Sequence, residues 1–110
     1  MQDEQEFRRK CEPALEKLRR RLLELSDEHS FDVEGEGEKL EILFEEPEET
    51  RFVISPNTAA RQIWISALST SFKLGWSEAA GDFVQEKSGE TLAQVMSRIL
   101  SQQLGISVTV

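Results

Sequence analysis

Residues 31–44 read Phe31-Asp32-Val33-Glu34-Gly35-Glu36-Gly37-Glu38-Lys39-Leu40-Glu41-Ile42-Leu43-Phe44. Phe31 and Val33 alternate with Asp32 and Glu34, and beyond the glycines Leu40, Ile42 and Phe44 alternate with Glu41 and Glu45. A period of two is the signature of a half-buried strand, one face apolar and the other wet. Gly35-Glu36-Gly37 reads as the turn between the two runs, and so short a link makes an antiparallel hairpin. The same pattern continues downstream. Phe52 and Ile54 alternate with Arg51, Val53 and Ser55, and Ile63 and Ile65 with Gln62, Trp64 and Ser66. Glu46-Pro47-Glu48-Glu49 and Ser55-Pro56-Asn57-Thr58 are the turn signals between them. Two weaker strands are expected near Phe72–Trp76 and Asp82–Glu86, parted by a loop that holds Gly81.

Upstream the period changes. Phe7, Cys11, Ala14, Leu15, Leu18, Leu22 and Leu25 recur at steps of three and four, which is the apolar stripe of a helix. Asp3 followed by Glu6 has the spacing of a capping box. Pro13 opposes an unbroken helix, since its ring crowds the carbonyl of Arg9 and it has no N–H to donate. A kink there is expected, or a frayed first segment with the firm helix starting near Glu12. At the other end, Thr91 with Gln94 forms a capping box. Leu92, Val95, Met96, Ile99, Leu100 and Leu104 make the stripe of a second helix, and Gly105 its stop. The apolar tail Ile106–Val110 is expected to pack on the domain. One sheet with one apolar face and two striped helices has a two-layer solution. The expected fold is an α+β sandwich, an antiparallel sheet of about five to six strands covered on one face by the N- and C-terminal helices. At 110 residues it is a single domain over residues 1–110.

Charge is segregated. Eleven of the 21 acids lie between Asp27 and Glu49 with Lys39 as the only base, so that stretch carries −10 of a net −8. Acid runs are most often solvated faces that keep a chain soluble. Here they lie at a helix end and along the first strands, where Glu24, Asp27, Glu28, Asp32 and Glu34 would form one ridge. Glu24 and Glu28 share a helix face if the helix reaches that far, and Asp32 and Glu34 point the same way from a strand. Such a surface attracts cations and basic partners and repels nucleic acid and anionic membranes. Its hard oxygen donors suit a hydrated hard cation held weakly, and its self-repulsion works against folding.

Among chemistry-bearing residues little converges. Cys11 is alone and sits on the apolar stripe, so it reads as a core thiol. It excludes an internal disulfide and fits a reducing compartment. The acidic start of the chain lacks a signal peptide's apolar segment, and no run approaches the roughly 20 apolar residues of a membrane span; a cytoplasmic setting is expected. His29 is the only histidine and reads as a surface turn residue. There is no Ser-His-Asp set, no CxxC and no phosphate loop. Trp64 stands out differently. The alternation that buries Ile63 and Ile65 puts Gln62 and Trp64 on the outer sheet face, where an exposed Trp suits an interface anchor.

The order of helix, acidic first strand, hairpins, Gln62-Ile63-Trp64-Ile65 and then Ser88-Gly89-Glu90-Thr91 opening a last helix resembles the frataxin family, in its bacterial CyaY-like form. The resemblance runs from Glu6-Phe7 to Gln102-Gln103-Leu104-Gly105. It implies an α+β sandwich that binds iron weakly, as ferrous or ferric ion, at Glu24, Asp27, Glu28, Asp32 and Glu34. It also implies modulation of iron–sulfur cluster assembly, as iron donor or iron sensor, through a cysteine desulfurase and a scaffold protein, with Gln62 and Trp64 as the sheet-face contact. It implies no enzyme in the ordinary sense, a weak ferroxidase-type activity being left open. It further implies a monomer, with iron-dependent oligomers open. Arg19 and Arg20 stand where family members often carry acids, which thins the ridge on the helix. The alternative is a metal-independent acidic interaction module that docks a basic partner.

Overall fold

The computed structural model describes residues 3–36, 38–46 and 48–110. Helix α1 spans Glu4–Ser26, strands β1 to β6 span Asp32–Glu36, Lys39–Phe44, Thr50–Asn57, Gln62–Ala67, Thr70–Ser77 and Asp82–Gln85, and helix α2 spans Leu92–Leu104. The strands form one antiparallel meander in chain order, so every connection is a hairpin. The buried residues of both helices and the inward residues of the strands make a single core, and the opposite sheet face is left uncovered by them.

Helix α1 buries Phe7, Cys11, Leu15, Leu18, Leu22 and Leu25, the stripe expected from the sequence. Asp3 caps it by accepting the Glu6 N–H at 2.8 Å. Of the two outcomes expected at Pro13, a frayed first segment is not what forms, since α1 is helical from Glu4 through Pro13. A helix-interior proline costs about 3 kcal/mol. Phe7 and Cys11, both upstream of Pro13, are 0% and 2% exposed. Burying a side chain such as Phe7 returns about 1.5–3 kcal/mol, so fraying the first segment would lose what it relieved.

Two hairpin turns lie later than expected. β1 continues through Gly35 and Glu36, with Glu36 paired to Lys39, so the link shrinks to residues 37 and 38. β3 continues through Pro56 to Asn57, and the turn is Thr58–Arg61. Pro56 is tolerated because β2 pairs with β3 only as far as Ile54, so at Pro56 the strand has β4 alone as neighbour. Gly37 and Pro47, assigned to turns from the sequence, lie outside the described residues.

Helix α2 has the full capping box: Thr91 Oγ1 accepts from the Gln94 N–H and Gln94 Oε1 from the Thr91 N–H. Gly105 closes it in the left-handed conformation, φ 70°. The chain end packs back, as expected. Val108 is buried, and its N–H donates to Ser101 Oγ at 2.9 Å while that hydroxyl donates to the Val108 carbonyl at 3.1 Å. The Val110 N–H donates to Ser97 Oγ, and Arg21 of α1 donates to the Thr109 carbonyl at 2.8 Å.

Candidate functional site

The acidic ridge is assembled at the end of α1 and along β1. Glu24 lies in the last turn of α1 and Asp27 is its C-cap. The helix does not reach Glu28. The Glu28 N–H closes a tighter turn on the Leu25 carbonyl, and the Ser26 hydroxyl donates to the Leu23 carbonyl. Carboxylates at this end oppose the helix dipole, and no basic residue in the last turn offsets them. Glu24 and Glu28 therefore share no helical face. Asp32 and Glu34 are exposed while Val33 between them is half-buried, as strand alternation requires. β1 lies along α1: a Cβ built on Gly35 would stand 3.8 Å from Arg19 Nε.

All five ridge acids are exposed. Glu24 has a loose partner in Arg21 at 3.9 Å. Among the described residues Asp27, Glu28, Asp32 and Glu34 make no ion pair. Arg19 and Arg20 are turned to Glu16 instead, at 3.7 and 3.2 Å. Carboxylate oxygens are the right donors for a hard cation. Yet among the described residues no group of three His, Cys, Asp or Glu side chains that could hold a metal ion is formed. His29 stacks its ring against Phe31, 6.5 Å between centroids. The donor set fits a cation attracted to a surface and not one held in a cage.

One acid beside the ridge behaves differently, and no local pattern pointed to it. Glu41 lies opposite Glu34 in the β1–β2 register, a like-charge pairing that destabilises a sheet. Lys39 at 3.1 Å and Arg51 at 3.5 Å neutralise it. The hydrogen bond from Lys39 is the largest influence holding its carboxyl below the ordinary value. Lys39, the lone base of the acidic stretch, is thereby committed to Glu41 and leaves the ridge uncompensated.

On the open sheet face Trp64 is 37% exposed while Ile63 and Ile65 are 0% and 1%. Its indole N–H donates to Gln62 Oε1 at 2.9 Å, and Lys73 Nζ stands 4.9 Å from its ring centre. The two sheet-face residues singled out from the sequence are thus joined, and Lys73 completes the group from the neighbouring strand. Cys11 is a core thiol: burial, then Glu38 and Glu12, push its pKa up to about 12, so it is no thiolate near neutrality.

Such a molecule is a small α+β sandwich with an acid-lined edge and an aromatic anchor on a bare sheet. A family model described as the frataxin-like domain matches residues 1–106, and the chain belongs to that family, in its bacterial CyaY-like form. The iron-sulfur cluster assembly protein CyaY of Stutzerimonas stutzeri is 30% identical over 81 residues, 72% of each chain. That of Pseudomonas fluorescens is 27% identical over 93 residues, 83% of each. That of Azotobacter vinelandii is 28% identical over 74 residues, 67% of this chain and 66% of the relative. The solved frataxin of Psychromonas ingrahamii superposes with a TM-score of 0.80, covering 97% of this chain and 96% of its own at 19% identity, which establishes the shared fold.

Proposed function

We propose that this protein modulates iron–sulfur cluster assembly without being an enzyme. Its acidic ridge docks a basic surface of a cysteine desulfurase, and its open sheet face, through Gln62 and Trp64, docks the cluster scaffold. Iron is cargo, drawn weakly to Glu24, Asp27, Glu28, Asp32 and Glu34. The observation that carries the reading is the ridge itself. Four exposed carboxylates stand without ion pairs among the described residues, next to a fifth acid, Glu41, that the fold does neutralise. Unpaired like charges raise the free energy of the folded state, so their grouping on one edge is best explained by something of opposite sign that binds there. The names of the relatives supply the setting, iron–sulfur cluster assembly.

A metal-independent docking module is the second reading, favoured by the lack of any three-residue metal-holding group among the described residues. Cluster formation on the scaffold, followed by absorbance with desulfurase, cysteine and ferrous iron, tests the role. Adding the protein should change the initial rate. The variant with Asp27, Asp32→Asn and Glu28, Glu34→Gln should lose that effect while melting at a higher temperature. An unchanged rate with the parent protein would refute the role. A rate effect that persists without iron-induced broadening of amide signals from these residues would favour the metal-free reading.

A further inference from the structure

Gly75 sits in the middle of β5 with Gln62 of β4 on one side and Val84 of β6 on the other, on the open face of the sheet. Glycine in a strand interior weakens it, and three structural reasons excuse it: a left-handed backbone, a bulge, or close approach of another group. The first does not apply, because Gly75 is not among the residues with positive φ. Nor does the second, since the register with both neighbours runs through it without a slip. Among the described residues nothing makes the close approach, because a Cβ built there meets no atom within 4 Å. The remaining reason is an approach from outside.

The surroundings say what approaches. Gly75 floors an open depression of about 430 Å³, where Gln62, Ser71, Lys73 and Lys87 bring polar groups and Trp76 and Val84 apolar ones. Gln62 already spends its acceptor oxygen on the Trp64 indole. Its amide is left with its N–H groups as the free function. Two ammonium groups and a hydroxyl join it, against one acid, Glu86. The lining is thus rich in unspent donors and positive charge within a protein of net −8. It borders Trp64 through Lys73, whose ammonium covers the indole.

We infer that this depression receives an acidic side chain, aspartate or glutamate, of the protein partner that packs on Trp64. The carboxylate takes an N–H group from Gln62 and is neutralised by Lys73 and Lys87. The partner's backbone comes close to the sheet over Gly75, which any larger residue would block. This sets the sheet face apart from the ridge, since one protein then presents a cation-seeking edge and an anion-seeking face. It rests on the reading of Trp64 as a partner contact, and the partner-free arm of the test keeps the two separable.

Gly75→Val fills the depression without disturbing the chain, and a β-branched residue suits a strand, so its melting temperature should equal or exceed the parent's. Lys73→Gln with Lys87→Gln removes the charge and leaves the floor intact. In the first arm, amide shifts are followed by NMR while a blocked Glu-Glu dipeptide is titrated in, with phosphate at matched ionic strength as comparator. Shifts should localise to the strand around Gly75 and to Gln85–Lys87, and both variants should lose them. Dispersed shifts, shifts kept in Gly75→Val, or equal shifts with phosphate would overturn the inference, the last reducing the site to one for small anions. In the second arm, scaffold affinity should fall at least tenfold in both variants. Scaffold bound equally well by Gly75→Val would also overturn it. If the dipeptide binds as expected and the parent protein does not bind scaffold, the depression stands and the scaffold assignment falls.

Discussion

Trp64 and Trp76 face opposite sides of neighbouring strands and should answer differently to the same substitution. Trp76 packs its ring against buried Phe83, 5.4 Å between centroids at 73°, with Lys10 Nζ 4.8 Å from its centre. Removing it opens the edge of the core, and Trp76→Ala should cost about 3 kcal/mol of stability. Trp64 contributes a single exposed hydrogen bond and a cation–π contact, so Trp64→Ala should cost about 1 kcal/mol or less. Its partner affinity should instead fall by about 2 kcal/mol, as for an interface anchor. Urea melts of both variants with titrations of the scaffold check this; a reversed ranking in the melts would make Trp64 a packing residue. The side of Trp64 was legible because strand alternation is strict. The group around Trp64 was not, because Lys73 reaches it across strands and no local pattern encodes that. The β4–β5 turn was equally hidden: Leu68 and Ser69 hold φ of 54° and 60° where a hairpin normally asks for Asn-Gly. Leu68, packed against the core, offsets the strain from a distance in sequence that no turn rule sees.

At the scale of elements, the helices were readable from their stripes and caps, and what escaped was where each one yields to its surroundings. The core on both sides of Pro13 keeps α1 whole, while charge against the helix dipole and the Ser26 hydroxyl end it before Glu28. That second outcome shapes the ridge, since it moves Glu28 off the helix and leaves Asp27 as the cap. The chain end shows the reverse, an irregular segment fixed by side chains. Ser97 and Ser101, one helical turn apart on α2, supply the hydrogen bonds that a sheet neighbour would otherwise give to Val108 and Val110. Ser101→Ala would strand both backbone groups of buried Val108, at about 1–3 kcal/mol. Ser107→Ala, on an exposed neighbour, should change little and serves as the control. Hydrogen exchange at the Val108 amide is the sharper reading: it should quicken in Ser101→Ala, and protection left intact would mean that burial alone holds the tail.

For the molecule as a whole, the segregated charge predicts how stability responds to solvent. With −10 between Asp27 and Glu49, and its one lysine bound to Glu41, the acidic edge repels itself more than the unfolded chain does. Exposed charges are screened beyond about 10 Å at 0.1 M salt against about 30 Å at 0.01 M. Raising sodium chloride over that range should therefore stabilise the protein by roughly 1 kcal/mol, a rise of about 4 °C or more in Tm for a domain of this size. The variant with Asp27, Asp32→Asn and Glu28, Glu34→Gln should start higher and respond less. Acid should not act as salt does. Lys39 holds the carboxyl of Glu41, and Arg98 that of Glu90, below the ordinary carboxylate value of 4.5. A carboxyl depressed in the folded state stabilises fully above its unfolded value. That contribution fades as the pH falls below 4.5 and through the folded value, so these two braces are lost in acid whatever the ridge gains. Thermal melts across salt at pH 7, and across pH at fixed salt, separate the two effects. A parent protein that melts at the same temperature in low and high salt would show that its acids are already balanced and that the ridge is not held for a partner.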